Sequence, residues 1–248
     1  PTQFAGFYGF NTHPKVYTGG TFIENVKARS FINFSTDQDY YYPPNANDSL
    51  NSIMSKIKAD YKDYRYNGFP HWFPDFDEAE PAYDILFEDL IKRKRNPFSK
   101  TLQWEFDDNA HGTIDWLNII KLDTIKTTKV SQKPTNFKIT KWLKLDDNDN
   151  AIVIDVNQNA FDFPRQSAKI SAKFTDNVFD INTEKVGSFN IYISPEMVDL
   201  SKPIKVIVNN VLVFEKIIDY DDAFMLDQWN ANMDRSQLWV NNINITLH

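Results

Sequence analysis

The spacing of apolar residues changes along the chain, and the change divides it near residue 97. Upstream, short apolar runs alternate with helical patterns. Phe31-Ile32-Asn33-Phe34 reads as a compact strand, left through polar and acidic residues. Leu50, Ile53, Met54 and Ile57 recur at the spacing of one helical face, which predicts a helix over 47–61 with Asn47 or Asp48 as its cap. Tyr64-Arg65-Tyr66 is a second short strand, broken by Asn67-Gly68. Pro81 suits a first helical turn. Behind it Tyr83, Leu86, Phe87, Leu90 and Ile91 form an apolar stripe, and Lys92 to Arg95 sit at the end that a helix dipole favours for cations. Asn96-Pro97 stops that helix. Strand, helix, strand, helix is the end of an α/β layer.

From Lys100 the period becomes two. Leu102, Trp104 and Phe106 share one face of a strand, as do Ile152, Ile154 and Val156, and Phe189, Ile191 and Ile193. Ile204, Val206 and Val208 lead into Asn209-Asn210, and Val211 and Val213 lead away. An Asn-Asn link suits a two-residue hairpin turn with positive φ. Residues 221–233 read as one helix and 238–247 as a closing strand. This part, 98–248, is expected to be mainly an antiparallel β-sandwich; residues 1–97 are expected to be an α/β segment.

Composition narrows the function. The 248 residues include 20 Phe, 11 Tyr and 6 Trp, so the chain has ample material for a core. Its net charge of −7 argues against a nucleic-acid backbone as partner. No stretch approaches 18 consecutive apolar residues, so the sequence offers no helical membrane span. It has no cysteine, which excludes disulfides, thiolate metal sites and cysteine nucleophiles. Imidazole chemistry is confined to four residues: His13, His71, His111 and His248.

Of these, His71 has the most informative setting. It lies in Gly68-Phe69-Pro70-His71-Trp72-Phe73-Pro74, just after a short strand, between prolines that stiffen the loop and aromatics that wall it. Asp39 follows the earlier strand, in Asp37-Gln38-Asp39-Tyr40-Tyr41-Tyr42-Pro43. Adjacent parallel strands would bring both loops to one carboxyl-end edge, where α/β sites are built. A carboxylate there would accept the Nδ1 proton of His71 and leave the other nitrogen as general base. Asp37 is the alternative acid.

At these residues the sequence resembles the C-terminal part of α/β-hydrolases of the prolyl-oligopeptidase/esterase type. Asp39 to Pro43 resembles the family's strand-end acid pattern, and Gly68 to His71 its histidine loop. Asn96-Pro97-Phe98, Asp115-Trp116-Leu117 and the stretch from Tyr192 to Leu200 resemble the β-rich extension of some secreted bacterial members. The resemblance implies a partial α/β-hydrolase sheet over 1–97, then a β-sandwich over 98–248. It also implies catalytic roles for Asp39 and His71, an ester or peptide substrate, no metal or organic cofactor, and a periplasmic or extracellular location. The family's chain order is Ser, Asp, His. No Gly-x-Ser-x-Gly occurs here, and Gly187-Ser188-Phe189-Asn190 lacks the elbow. The expected partner is therefore a missing N-terminal hydrolase segment that carries the nucleophile. The chain alone is expected to be an inactive fragment, since loss of a serine nucleophile costs about 10⁶ in kcat. The start at Pro1 reads as processed or trimmed, and an unfinished sheet is expected to expose a strand edge near Phe31–Phe34 or to have it covered by a partner.

Blander readings stand beside these. His71 also fits a loop histidine packed by aromatics, and Tyr40 to Tyr42 fit either a substrate pocket or packing beneath a loop. His111 and His13 read as turn residues. Asp146-Asp147-Asn148-Asp149-Asn150 places oxygens at alternate positions but lacks the glycine and glutamate of a calcium loop, so a hairpin tip is expected. The rival function is a non-catalytic binding module for carbohydrate or a surface partner, with exposed Trp and Tyr on a sandwich face as its signature.

Overall fold

The computed structural model describes residues 4–11, 22–39, 44–123, 125, 138–148, 150–159 and 167–247. The chain folds as two compact units, one formed by residues 3–95 with 133–164, the other by 96–132 with 165–248. The first unit is built on a parallel sheet. Strands β1 (Gly6–Phe10), β2 (Ser30–Gln38) and β3 (Tyr61–Pro70) lie in the order β1-β2-β3. Helix α1 (Pro44–Ile57) links β2 to β3, and α2 (Glu80–Lys92) follows β3.

Alternation along β2 sends successive side chains to opposite faces. Phe31 packs with Ile53 and Met54 of α1, with Phe7, Val26, Ile57 and Tyr61 around them. Ile32 and Phe34 join Phe73, Ala79 and Ala82 on the other face, with Tyr8, Phe10, Tyr64 and Tyr83. A strand covered on both faces reads as a continuous apolar run, which is why Phe31 to Phe34 was so legible. It is the middle strand, however, so the exposed edge expected there is not formed; β1 and β3 are the outer strands among the described residues. The stripe on α2 is used only in part: Tyr83 and Leu86 pack, while Phe87, Leu90 and Ile91 are exposed.

The chain continues through β4 (Thr101–Phe106) and β5 (Leu117–Leu122) of the second unit. It returns to the first for the hairpin β6 (Lys138–Leu145) and β7 (Ala151–Asn159), whose strand β6 lies against α1. Then come β8 (Ala168–Thr175), β9 (Val178–Glu184), β10 (Val186–Ile193), β11 (Ile204–Val208), β12 (Val211–Lys216), α3 (Asp222–Asn232) and β13 (Asn241–Thr246). The second unit has a five-stranded sheet, β12-β11-β9-β8-β4, and a three-stranded one, β13-β10-β5. Trp116, wholly buried just before β5, meets Phe174 of β8 and Phe179 of β9 at 5.7 and 5.3 Å, and its indole N–H is satisfied by the Ser99 carbonyl. Asn209 and Asn210 have φ of 50° and 67°, as a two-residue turn of β11 into β12 requires.

The expected fold class is corrected by these elements. The chain is mainly β, at 45% strand and 23% helix, with three α-helices and four separate sheets among the described residues; it is not α/β-hydrolase-like. Among the described residues its parallel sheet has three strands, and an antiparallel hairpin belongs to the same unit. Nor is the second unit purely antiparallel, because β9 and β11 pair in parallel. None of the helices among the described residues is long and apolar enough to cross a membrane.

Candidate functional site

Three strand ends meet at the carboxyl edge of the parallel sheet: Asn11 directly follows β1, Asp39 follows β2 and His71 follows β3. The last is delivered by a bulge. Thr36 of β2 pairs with Tyr66 and Gln38 with Pro70, so β3 uses four positions where β2 uses two. Gly68 absorbs the excess at φ +89°, and its N–H donates to Asp37 Oδ1 at 2.6 Å. Bulges re-aim side chains. This one carries the chain past Asn67-Gly68 without ending the strand and sets His71 opposite Asp39.

The two side chains meet at 2.9 Å, Nδ1 of His71 to Oδ2 of Asp39. The carboxylate side chain is fully buried and the imidazole is 18% exposed. An ionised carboxylate only accepts hydrogen bonds, so in a contact with ionised Asp39 the donor would be Nδ1 of His71. Trp72 stands edge-on to the ring at 4.8 Å and is itself exposed. Phe73, buried on Tyr66 and Phe69, anchors the loop from below. From the side, Asn11 Nδ2 donates to the carbonyls of His71 (2.7 Å) and Pro70 (3.3 Å), while Thr36 Oγ1 donates to Asn11 Oδ1 at 3.1 Å.

The α1 face of the same sheet turns polar toward this edge. Asp63 of β3, almost fully buried, accepts from Asn33, Ser35 and Asn51 at 3.0, 2.9 and 2.9 Å. Arg65 lies 3.7 Å from it and binds Asp48 at 2.7 Å. Burial, then the nearby Asp63 charge, pushes the Tyr61 hydroxyl well above its usual range. Sequence reading missed this cluster and Asn11. The signal for the first was present, as Asn33, Ser35, Asp63 and Arg65 alternate with apolar residues; Asn11 had none, because β1 was not read as a strand.

Other candidates fall elsewhere. Asp37 is occupied by the Gly68 amide. Tyr40 to Pro43, His13 and His248 lie outside the described residues. His111 contacts Asp108 at 2.6 Å, but both are well exposed and three residues apart, and Asp108 also caps the turn through the N–H groups of Ala110 and His111. The His111 contact, followed by these amides, holds Asp108 below the usual carboxylate range. Asp146 likewise accepts from the N–H groups of Asn148 and Asn150 between β6 and β7. The hydroxyls nearest in sequence to Asp39, on Ser35 and Thr36, are buried and bonded to Asp63 and to Asn11 with Pro70. Ser188 is a residue of β10 in the second unit. Among the described residues no three His, Cys, Asp or Glu are grouped as metal ligands.

The aromatic platform that a carbohydrate-binding sandwich would present is not built from Trp104, Trp116 or Trp239, all of which are buried. A cleft of about 520 Å³ in the second unit is lined by Asp176, Asn177, Glu196, Asp199 and Lys202. Asn177 and Asp199 spend their polar atoms on bonds that hold its own loops. No family model, curated protein or solved structure matches the chain.

Proposed function

We propose that Asp39 and His71 are the acid and the general base of a serine hydrolase that cleaves an ester or peptide bond, and that the serine is supplied by polypeptide other than these 248 residues. The observation that supports this reading is the 2.9 Å contact between a fully buried carboxylate and a partly exposed imidazole. The fold is not needed for it, since the same three groups recur on unrelated architectures.

In this reading Nε2 of His71 takes the proton of the serine hydroxyl as the oxygen attacks the substrate carbonyl carbon. Asp39 stabilises the imidazolium that results, and burial strengthens that attraction by keeping water out. The imidazolium then protonates the departing alcohol or amine. Water enters against the acyl-enzyme by the same route in reverse, with His71 again as base. General-base assistance of this kind contributes about 10²–10⁴-fold.

A fluorophosphonate probe tests the assignment. The protein as its gene encodes it should be labelled on a serine outside these residues, and the 248-residue chain alone should not be. Label on a serine of this chain would show the nucleophile to be internal. No serine labelled in either would refute the hydrolase reading.

A further inference from the structure

We infer that Asn11 is a positioning residue for His71, holding the base at its working distance from Asp39 through the backbone of the histidine loop. The inference rests on the reading of Asp39 and His71 as an acid–base pair. Its own support is a separate set of contacts. Asn11 is 2% exposed and lies one residue beyond β1, with φ at 45°, a left-handed conformation that Asn tolerates better than most residues. Its backbone N–H donates to the Phe34 carbonyl at 2.7 Å, which fixes it to β2. Its side-chain amide donates to two consecutive carbonyls, those of Pro70 and His71, at 3.3 and 2.7 Å. Its side-chain oxygen accepts from Thr36, whose hydroxyl also reaches the Pro70 carbonyl at 3.3 Å.

Only a carboxamide meets this geometry. Aspartate would set an oxygen against two carbonyl oxygens, and serine is too short to span both. The amide thus ties the peptide units on either side of the histidine Cα to the two strands that carry Asn11 and Asp39. The bulge at Gly68 gives β3 slack at this end, and the amide takes it up. An anchor of this kind matters to catalysis because an error of about 1 Å in the placement of a base costs on the order of 10²-fold in rate.

Asn11→Gly removes the amide while keeping a residue that accepts φ near 45°. The readout is the imidazole of His71 in ¹⁵N-resolved NMR of the 248-residue chain. Expected for the unaltered chain is an Nδ1–H tautomer with a slowly exchanging Nδ1 proton that Asp39→Asn abolishes. Expected for Asn11→Gly is loss or broadening of that proton and a mixed tautomer, with kcat of the encoded protein down on the order of 10–100-fold and KM within about twofold. Asn209→Gly, which removes a left-handed turn anchor of the second unit bonded to Thr183, should leave the His71 signal unchanged. Should Asn11→Gly fail to fold, Thr36→Val reads the same clamp at its outer bond and should broaden the same proton. A His71 signal unaltered in the folded variant overturns the role of Asn11 and leaves the acid–base pair standing. Absence of the Nδ1 proton from the unaltered chain removes the pair, and the inference with it.

Discussion

Asp39 Oδ2 stands 2.9 Å from His71 Nδ1 across the carboxyl edge of a parallel sheet, although the two lie 32 positions apart in the chain. The shorter contact of Asp108 with His111, at 2.6 Å, joins neighbours on an exposed turn. Burial of the carboxylate and its delivery by a separate strand distinguish the first pair.

Asp39→Asn should leave the fold intact and mis-set the ring. An amide can donate to Nδ1, which favours the wrong tautomer, and kcat of the encoded protein should fall by about 10⁴. Steady-state kinetics beside the ¹⁵N shifts of His71 check this; a fall of less than about tenfold would mean that the carboxylate does not orient the base.

Acid should weaken the first unit through Asp89. Its carboxylate accepts from Arg93 Nε and Nη2, both at 2.7 Å, and from the Tyr8 hydroxyl at 2.6 Å. The Arg93 contact, opposed by desolvation and aided by Tyr8, holds Asp89 below its ordinary value of 3.8. A depressed carboxylate contributes stability that is full above the ordinary value and is lost as pH falls through the folded one. The stability gap between the unaltered chain and Asp89→Asn should therefore be constant above about pH 5 and close below about pH 4. Urea midpoints taken across that range measure it.

Asp63→Ala should destabilise the first unit by on the order of 3 kcal/mol, because it strands buried donors of Asn33 and Asn51 at about 1–3 kcal/mol each. Asp63→Asn, which keeps one acceptor, should cost less. Denaturant unfolding of the two variants distinguishes a required charge from a required acceptor.

Two glycines should respond differently to alanine. A Cβ on Gly112 would run into the Ile120 carbonyl oxygen, and the Gly112 carbonyl already accepts from Ile120 N–H at 2.7 Å. Gly112→Ala should cost on the order of 3 kcal/mol in the second unit. At Gly68 the space is open and only the φ of +89° resists, so Gly68→Ala should cost about 1–2 kcal/mol. Thermal unfolding compares them.

The pair was legible because each residue follows a run that reads as a strand, Phe31–Phe34 for Asp39 and Tyr64–Tyr66 for His71, and Asn209-Asn210 because a two-residue turn has a narrow chemistry. What stayed hidden depends on contacts distant in sequence. Helix α1 stops at Ile57, where Lys58 takes φ 56°, although Tyr61 continues the helical spacing and instead opens β3. Two glycines mask β1, whose pairing among the described residues is with β2, more than 20 residues on. The number of strands in the parallel sheet, the return of β6 and β7 to the first unit and the parallel β9–β11 pair are set by tertiary pairing, which local periodicity does not encode. The expected hydrolase sheet failed on those terms, while the strand ends that carry Asp39 and His71 did not depend on them.

The most direct measurement is the rate of fluorophosphonate labelling of the encoded protein before and after His71→Gln. With His71 as general base, the labelled serine lies outside these 248 residues and its labelling slows by about 10²–10⁴-fold in the variant. A labelling rate unchanged by His71→Gln, or no labelled serine at all, would contradict it.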